Sequence, residues 1–362
     1  MIGWTLARYF FLRYLASVSA FLAGLASLIF IVDFTQLNER AGALPQFTLA
    51  LGLQVSAMRV PMVLIQVVPF VALFASMAML IQLNRKYELV VARSAGLSAW
   101  QFLLPACVGA FVFGCLAAGV LNPLSAWGFA AAESIEVDWN TAKSRDVIAL
   151  KDPWLRQMTG DEEYIIGTKN VLNSGTLLAK PVFLRIGEDR GIEFRIDADT
   201  AALEPRRWRL ANAVISRRGI EPESHIEYTV ATNLTPELIQ ERLQRPETIA
   251  FYDLPKKIAV ARALGVTGNG LAMQLHSVLA LPALVTVMTL IAATVSLKFV
   301  RFGQSAAVVL GGVLAGFVLY VVSVLVKAFG SSGLVPPYLA AWFPVAMAFL
   351  FGVAFLLHRE DG

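Results

Sequence analysis

The sequence predicts a membrane-embedded α-helical bundle of six transmembrane helices with one inserted, extracytoplasmic all-β domain of sandwich or barrel-like form. Three observations predict it. The 362 residues are 57% hydrophobic and only 15% charged, far more apolar than a soluble domain of this length. Six stretches reach the roughly 20 apolar residues that a bilayer crossing takes. Between the third and fourth of them the hydrophobic period changes from helical to alternating, which marks strands.

The spans fall at about residues 14–35, 61–83, 101–121, 271–297, 303–326 and 337–357. Arg8 and Arg13 precede the first, as basic residues precede a signal peptide. Its apolar stretch is about 20 residues, longer than the 7 to 15 of a cleaved signal, so it reads as an uncleaved span. The first three spans make up residues 1–122, the inserted domain 123–268 and the last three spans 269–362.

Between the second and third spans lies "LNRKYELVVARSAGLSAWQ", Leu83 to Gln101, charged at Arg85, Lys86, Glu88 and Arg93 yet apolar at Leu89, Val90, Val91 and Leu97. It predicts a short amphipathic helix at about 84–98, ended by Gly96. Two readings are open. Such a helix lies on the membrane with its apolar side in lipid, or it inserts into a partner, with Glu88 free for a charge-assisted bond.

The third span holds the only cysteines, Cys107 and Cys115. Eight residues of helix put them roughly 12 Å apart, beyond disulfide reach. In the polar block that follows, "IEFRIDAD" sets Ile192, Phe194 and Ile196 on one face, and "HIEYTV" does the same with Ile226, Tyr228 and Val230. Further strands are expected in "EYIIGT", "KPVFLRI" and "RWRLANAVISRRG". Near the exit, "TPELIQERLQR" opens with Thr235 and Pro236, a helix start. The block is read either as a stabilising ectodomain or as a cleft for a lipid.

In the later spans Gly312 and Gly316 form a small-x-x-x-small pair for close helix packing. Pro61, Pro69, Pro282 and Pro344 can kink their helices, because neighbours re-satisfy the freed carbonyls.

Basic residues in short loops stay in the cytoplasm. With the amino end inside, that side holds Arg8, Arg13, Arg85, Lys86, Arg93, Lys298, Arg301 and Arg359, against Arg40, Arg59 and Lys327 outside. Both termini are thus expected to be cytoplasmic and the β domain outside. The net charge of +4 does not point to nucleic acid, because 19 of the 30 basic residues fall in the inserted domain among 21 acidic ones.

The chain has no G-x-x-x-x-G-K-[ST] loop, no G-x-S-x-G elbow and no H-E-x-x-H. The three histidines, His225, His276 and His358, are too dispersed for a metal site. The spans carry almost no carboxylates, which disfavours a proton-coupled carrier. No catalytic residue and no cofactor is expected, and any ATP chemistry would belong to another polypeptide. At the outer face Arg40, Arg59 and Lys327 share one depth. They are read as snorkelling anchors or, if they converge, as a rim for an anionic headgroup.

The stretch "ELVVARSAGLSAWQ", the "YLAAWFP" opening the last span, "LHSVLALP" in the fourth and the order three spans, β domain, three spans resemble the LptF/LptG family of lipopolysaccharide-export permeases. The amino-terminal "MIGWTLARYFFLRYL" and "IVDFTQLNERAG" look more like the LptG branch. The resemblance implies a non-catalytic ABC transporter permease in the inner membrane of a Gram-negative bacterium. It pairs with an LptF-like permease on an LptB-like ATPase dimer that holds ATP and Mg, beside an LptC-like single-span protein. Its outer domain would be a β-jellyroll that passes lipopolysaccharide to a periplasmic bridge.

By the same resemblance the helix at 84–98 is the coupling helix, with Glu88 docking on the ATPase and Arg85, Leu89 and Arg93 beside it. Arg40 and Lys327, with Arg59, become candidates for meeting lipid A phosphates. Glu39 beside Arg40 departs from the family's lysine-rich pattern there, which weakens any phosphate clamp. The alternative is a membrane-anchored periplasmic scaffold or assembly factor, which has no need of Glu88.

Overall fold

The computed structural model describes residues 3–42, 44, 47–94, 96, 98–140, 154–159, 162–168, 170–172, 177–187, 191–217, 219–232, 246–263, 268–296 and 306–360. It divides into a helical unit, Met1–Ile135 with Pro246–Gly362, and a β unit, Glu136–Arg245. The helix expected at Thr235 and Pro236 lies outside the described residues, as do Lys298 and Arg301.

The helical unit comprises α1 (Trp4–Ala41), α2 (Leu49–Arg85), α3 (Glu88–Ser94), α4 (Ala99–Leu116), α5 (Asn122–Asn140), α6 (Leu254–Ala263), α7 (Asn269–Ser296), α8 (Ala306–Ser332) and α9 (Pro337–Glu360). Among the described residues six stretches of helix are long and apolar enough to cross a membrane. α1, at 38 residues, is roughly 57 Å long at 1.5 Å per residue and overreaches the hydrocarbon.

α7 is the hub of the bundle. It packs against α2, α4, α8 and α9 and buries Val278, Leu281, Val285, Met288, Leu290, Ala292 and Ala293. α1 seats Phe10, Tyr14 and Val18 in the same core, an i, i+4, i+8 stripe. By contrast α1 and α8 leave their other faces open: Phe21, Leu28 and Ile31 on one and Leu314, Phe317 and Leu325 on the other are exposed.

The third span is longer than its apolar stretch suggests. α4 passes through a π-helical turn, Ala117–Leu121, into α5 without a break. Pro123 stands second in α5, directly after the π turn, where a missing N–H in the first turn is tolerated. The chain returning from the β unit is fastened at this turn. Phe251 N donates to Asn122 Oδ1 at 2.8 Å, and Tyr252 OH to the Gly119 carbonyl at 3.1 Å.

The β unit is one curled antiparallel sheet. Its strands are β1 (Trp154–Thr159), β2 (Glu162–Gly167), β3 (Asn170–Leu172), β4 (Leu177–Ala179), β5 (Val182–Ile186), β6 (Ile192–Asp197), β7 (Thr200–Glu204), β8 (Arg207–Arg217) and β9 (Glu223–Ala231). The path is β1-β2-β5-β6-β8-β7-β4-β3, with β9 on the far edge of β8. β7 pairs with the first half of β8 and β6 with the second, while β9 runs along nearly all of it. β2 with β3, β4 with β5 and β6 with β7 are therefore long strands broken by a bend, and the bends line up as one crease.

Across the crease β4 with β5, β6 with β7, and β8 change which parity faces the core. β8 buries Trp208 and Leu210 before Asn212, then Ala213 and Ile215 after it. Asn212 makes the switch in the left-handed region, φ 53°, where asparagine is tolerated, and its Nδ2 donates to Asp199 Oδ2 at 3.0 Å. The expected inward face of β6 is only partly covered: Phe194 and Ile196 are buried, but Ile192 is exposed. Ile226, opposite Asn212 on the edge strand, is 88% exposed.

Candidate functional site

α2 ends at Arg85, and Lys86 and Tyr87 alone join it to the next helix. Tyr87 takes φ 59°, a left-handed conformation that a bulky residue adopts at some cost. Glu88 then opens the seven-residue α3, its carboxylate at the positive end of the helix dipole. On the far side Ser98 caps α4, accepting from Gln101 N while Gln101 Oε1 accepts from Ser98 N. Both ends of the loop are thereby fixed by local hydrogen bonding.

α3 lies on the bundle through Leu89, which is fully buried in the helical core, and Ala92. Leu89 thus anchors α3 to its own chain. The outward side carries Tyr87, Val90 and Val91, exposed by 70%, 42% and 64%, with Arg85 and Lys86 exposed beside them. Arg93 lies on α3, but its side chain is outside the described residues.

Glu88 is half-buried and held by α1. Tyr9 OH donates to its Oε2 at 2.8 Å, and Arg13 Nη1 donates to the same phenol oxygen at 2.6 Å. Arg13 Nη1 stands 4.0 Å from Glu88 Oε1. Tyr9 escaped the sequence reading, and Arg13 entered it only as a basic residue flanking the first span and marking orientation. Their i, i+4 spacing beside the buried stripe of Phe10 and Tyr14 was the available signal.

At the opposite end of the bundle the three basic candidates sit on three helices, each with a neighbour of its own. Arg59 of α2 lies 4.0 Å from Asp33 of α1, so it is paired rather than simply snorkelling. Arg40 Nη2 donates to Gln36 Oε1 at 3.0 Å, on the α1 stripe that carries Asp33. Lys327 of α8 is within electrostatic reach of Glu247 in the Pro246–Thr248 turn.

Beside the Asp33–Arg59 pair a groove of about 460 Å³ runs between α1 and α2, lined by Ala26, Ser27, Phe30, Ile31, Ala57 and Val60. Its walls are apolar apart from one serine.

Gly312 and Gly316 of α8 are both at close approaches. A Cβ at Gly316 would stand 2.4 Å from Leu73 Cδ2, and one at Gly312 3.1 Å from Met77 Cε and 3.2 Å from Val295. His276, at the start of α7, makes an edge contact with Tyr338.

A comparison with curated proteins finds no match. The family whose model matches this chain is described as the lipopolysaccharide export system permease LptF/LptG, over residues 8–359.

Proposed function

The chain belongs to the LptF/LptG family of lipopolysaccharide export permeases, and from that premise we propose that it is the LptG-type permease of an ABC exporter, with α3 as its coupling helix. The observation that carries this reading is the two-sidedness of α3. Leu89 fixes it to the bundle, while Tyr87, Val90 and Val91 face away from it and Glu88 is partly open at its start. A surface helix that only covered its own bundle would not need that apolar outer side. The fit is to a groove on an LptB-like ATPase, where ATP and Mg would be bound.

Both termini and α3 are then cytoplasmic and the β unit periplasmic, in keeping with the loop charges. The open faces of α1 and α8 suit the second, LptF-like permease and the single helix of an LptC-like protein. ATP-driven closure would move α3 and narrow the space between the two permeases, driving acyl chains sideways into the β domains. A lateral route of this kind keeps the acyl chains out of water. Arg40 and Lys327 remain the candidates for lipid A phosphate. Arg59 is the weaker one, since Asp33 already offsets its charge.

The scaffold reading has one observation in its favour. The β unit is filled by its own side chains, with Trp208, Phe183, Leu178 and Ile166 fully buried. The deciding experiment purifies the tagged chain from its native membrane and identifies by mass spectrometry whether a Walker-motif ATPase accompanies it, in wild type and in Glu88→Lys. The permease reading expects the ATPase with the wild type and its loss or uncoupling in the variant. Absence of any ATPase under conditions that keep other complexes intact would leave the scaffold.

A further inference from the structure

We infer that Tyr9 and Arg13 are positioning residues for Glu88: they fix one carboxylate oxygen, leave the other for the ATPase, and tie the coupling helix to α1 as well as to α2. The inference rests on the coupling role proposed for α3.

A glutamate side chain on a short surface helix has many rotamers, and ordering it on binding costs free energy. Here the ordering is already done. The phenol of Tyr9 donates to Oε2 at 2.8 Å, and Arg13 Nη1 donates to that phenol at 2.6 Å with its guanidinium 5.6 Å from the ring. Donation from a cation makes the phenol a stronger donor in turn.

Oε1 stands 4.0 Å from Arg13 Nη1, and among the described residues it receives no hydrogen bond. A basic group on a partner can therefore approach Oε1 while Oε2 stays fixed. At that distance the guanidinium faces Oε1 without bonding it directly.

The bonds also supply a mechanical path. α3 follows α2 in the chain, so any push on it reaches α2 through the backbone. Its polar link to α1 is this network, and it meets α1 where that helix is most firmly seated. Phe10 and Tyr14, the residues after Tyr9 and Arg13, are 2% and 0% exposed. Farther along, α1 forms one wall of the groove at Ala26, Phe30 and Ile31. Movement of α3 would reach both walls of that groove together.

The test uses the purified complex in lipid vesicles and compares wild type, Tyr9→Phe, Arg13→Gln, Arg13→Lys, Glu88→Gln, Glu88→Lys and Tyr9→Phe combined with Glu88→Gln. ATPase content, ATP hydrolysis and lipopolysaccharide released per ATP are measured, with thermal unfolding as a check on folding. Tyr9→Phe keeps the ring and its edge contact with Phe10, so it removes only the hydroxyl. Expected are a drop of about fivefold to tenfold in release per ATP for Tyr9→Phe, recovery in Arg13→Lys relative to Arg13→Gln, and no further drop when Tyr9→Phe is added to Glu88→Gln. Wild-type release per ATP in Tyr9→Phe, while Glu88→Gln is impaired, overturns the inference and leaves the coupling role standing. A gain in Tyr9→Phe overturns it too, because the contact would then be a brake. Full coupling in Glu88→Lys removes the coupling role itself.

Discussion

Tyr14 of α1, Ser76 of α2 and Thr289 of α7 bring three hydroxyls together in the middle of the helical core. Thr289 Oγ1 lies 3.0 Å from Ser76 Oγ and 3.3 Å from Tyr14 OH, and Ser76 also reaches the Ala72 carbonyl at 2.6 Å. Away from water such groups are costly when unpaired. Thr289→Val keeps the shape and removes one of the two hydroxyl partners of the phenol, Ser76 being the other, so it should cost about 1 kcal/mol, read as a lower unfolding temperature in detergent. Adding Tyr14→Phe should cost less than Tyr14→Phe does alone, because the two hydroxyls share one cluster. Single residues were the least legible scale in the sequence. Glu88 stood out as a charge in an apolar surface segment. Its partners Tyr9 and Arg13, 79 and 75 positions earlier, could be joined to it only by the packing of α1. Arg59 likewise looked like an anchor until the pairing of α1 with α2 put Asp33 against it.

At the scale of elements, glycines decide how closely helices pack. A Cβ at Gly114 of α4 would stand 2.4 Å from Pro282 Cα of α7, and neither backbone can turn aside as a side chain does. Gly114→Ala should therefore pry α4 from the hub, lowering stability by about 1–3 kcal/mol and reducing the folded yield. Gly24→Ala, with nothing within 4 Å of its Cβ, should be neutral or slightly stabilising. The sequence singled out Gly312 and Gly316 as a pair of glycines four apart, whereas Gly114 has only alanines at that spacing, Ala110 and Ala118, and meets a proline on another helix.

Alternation found β2, β5, β6, β8 and β9, but the order of pairing, which joins β2 to β5, β6 to β8 and β4 to β7, is set by contacts far apart in the chain. The crease was not legible, since the parity switch at Asn212 needs a backbone angle that asparagine permits without demanding. In the β unit, burial, aided by the Glu162 carboxylate, pushes the Tyr164 phenol up to about 12. A tyrosine whose folded pKa lies above its unfolded value near 10 holds its proton more tightly when folded. Its stabilisation is complete below pH 10 and is lost as pH rises towards 12. The unfolding temperature should fall across that window, and Tyr164→Phe should flatten the fall.

For the whole molecule, sidedness is what turns these parts into a machine, and it rests on charge rather than on packing. The bundle would pack equally well either way up, but translocation retains basic loops in the cytoplasm. Eight basic residues against three predict that α3 and both termini face ATP. In a background with Cys107→Ala and Cys115→Ala, a membrane-impermeant maleimide should label Ser224→Cys in intact spheroplasts and Tyr87→Cys only after lysis. Ser224 and Tyr87 are both exposed, so accessibility within the fold does not bias the comparison. The reverse pattern would put α3 on the side without ATP. Neither the coupling role nor the positioning of Glu88 by Tyr9 and Arg13 would survive that result, although the fold would stand unchanged.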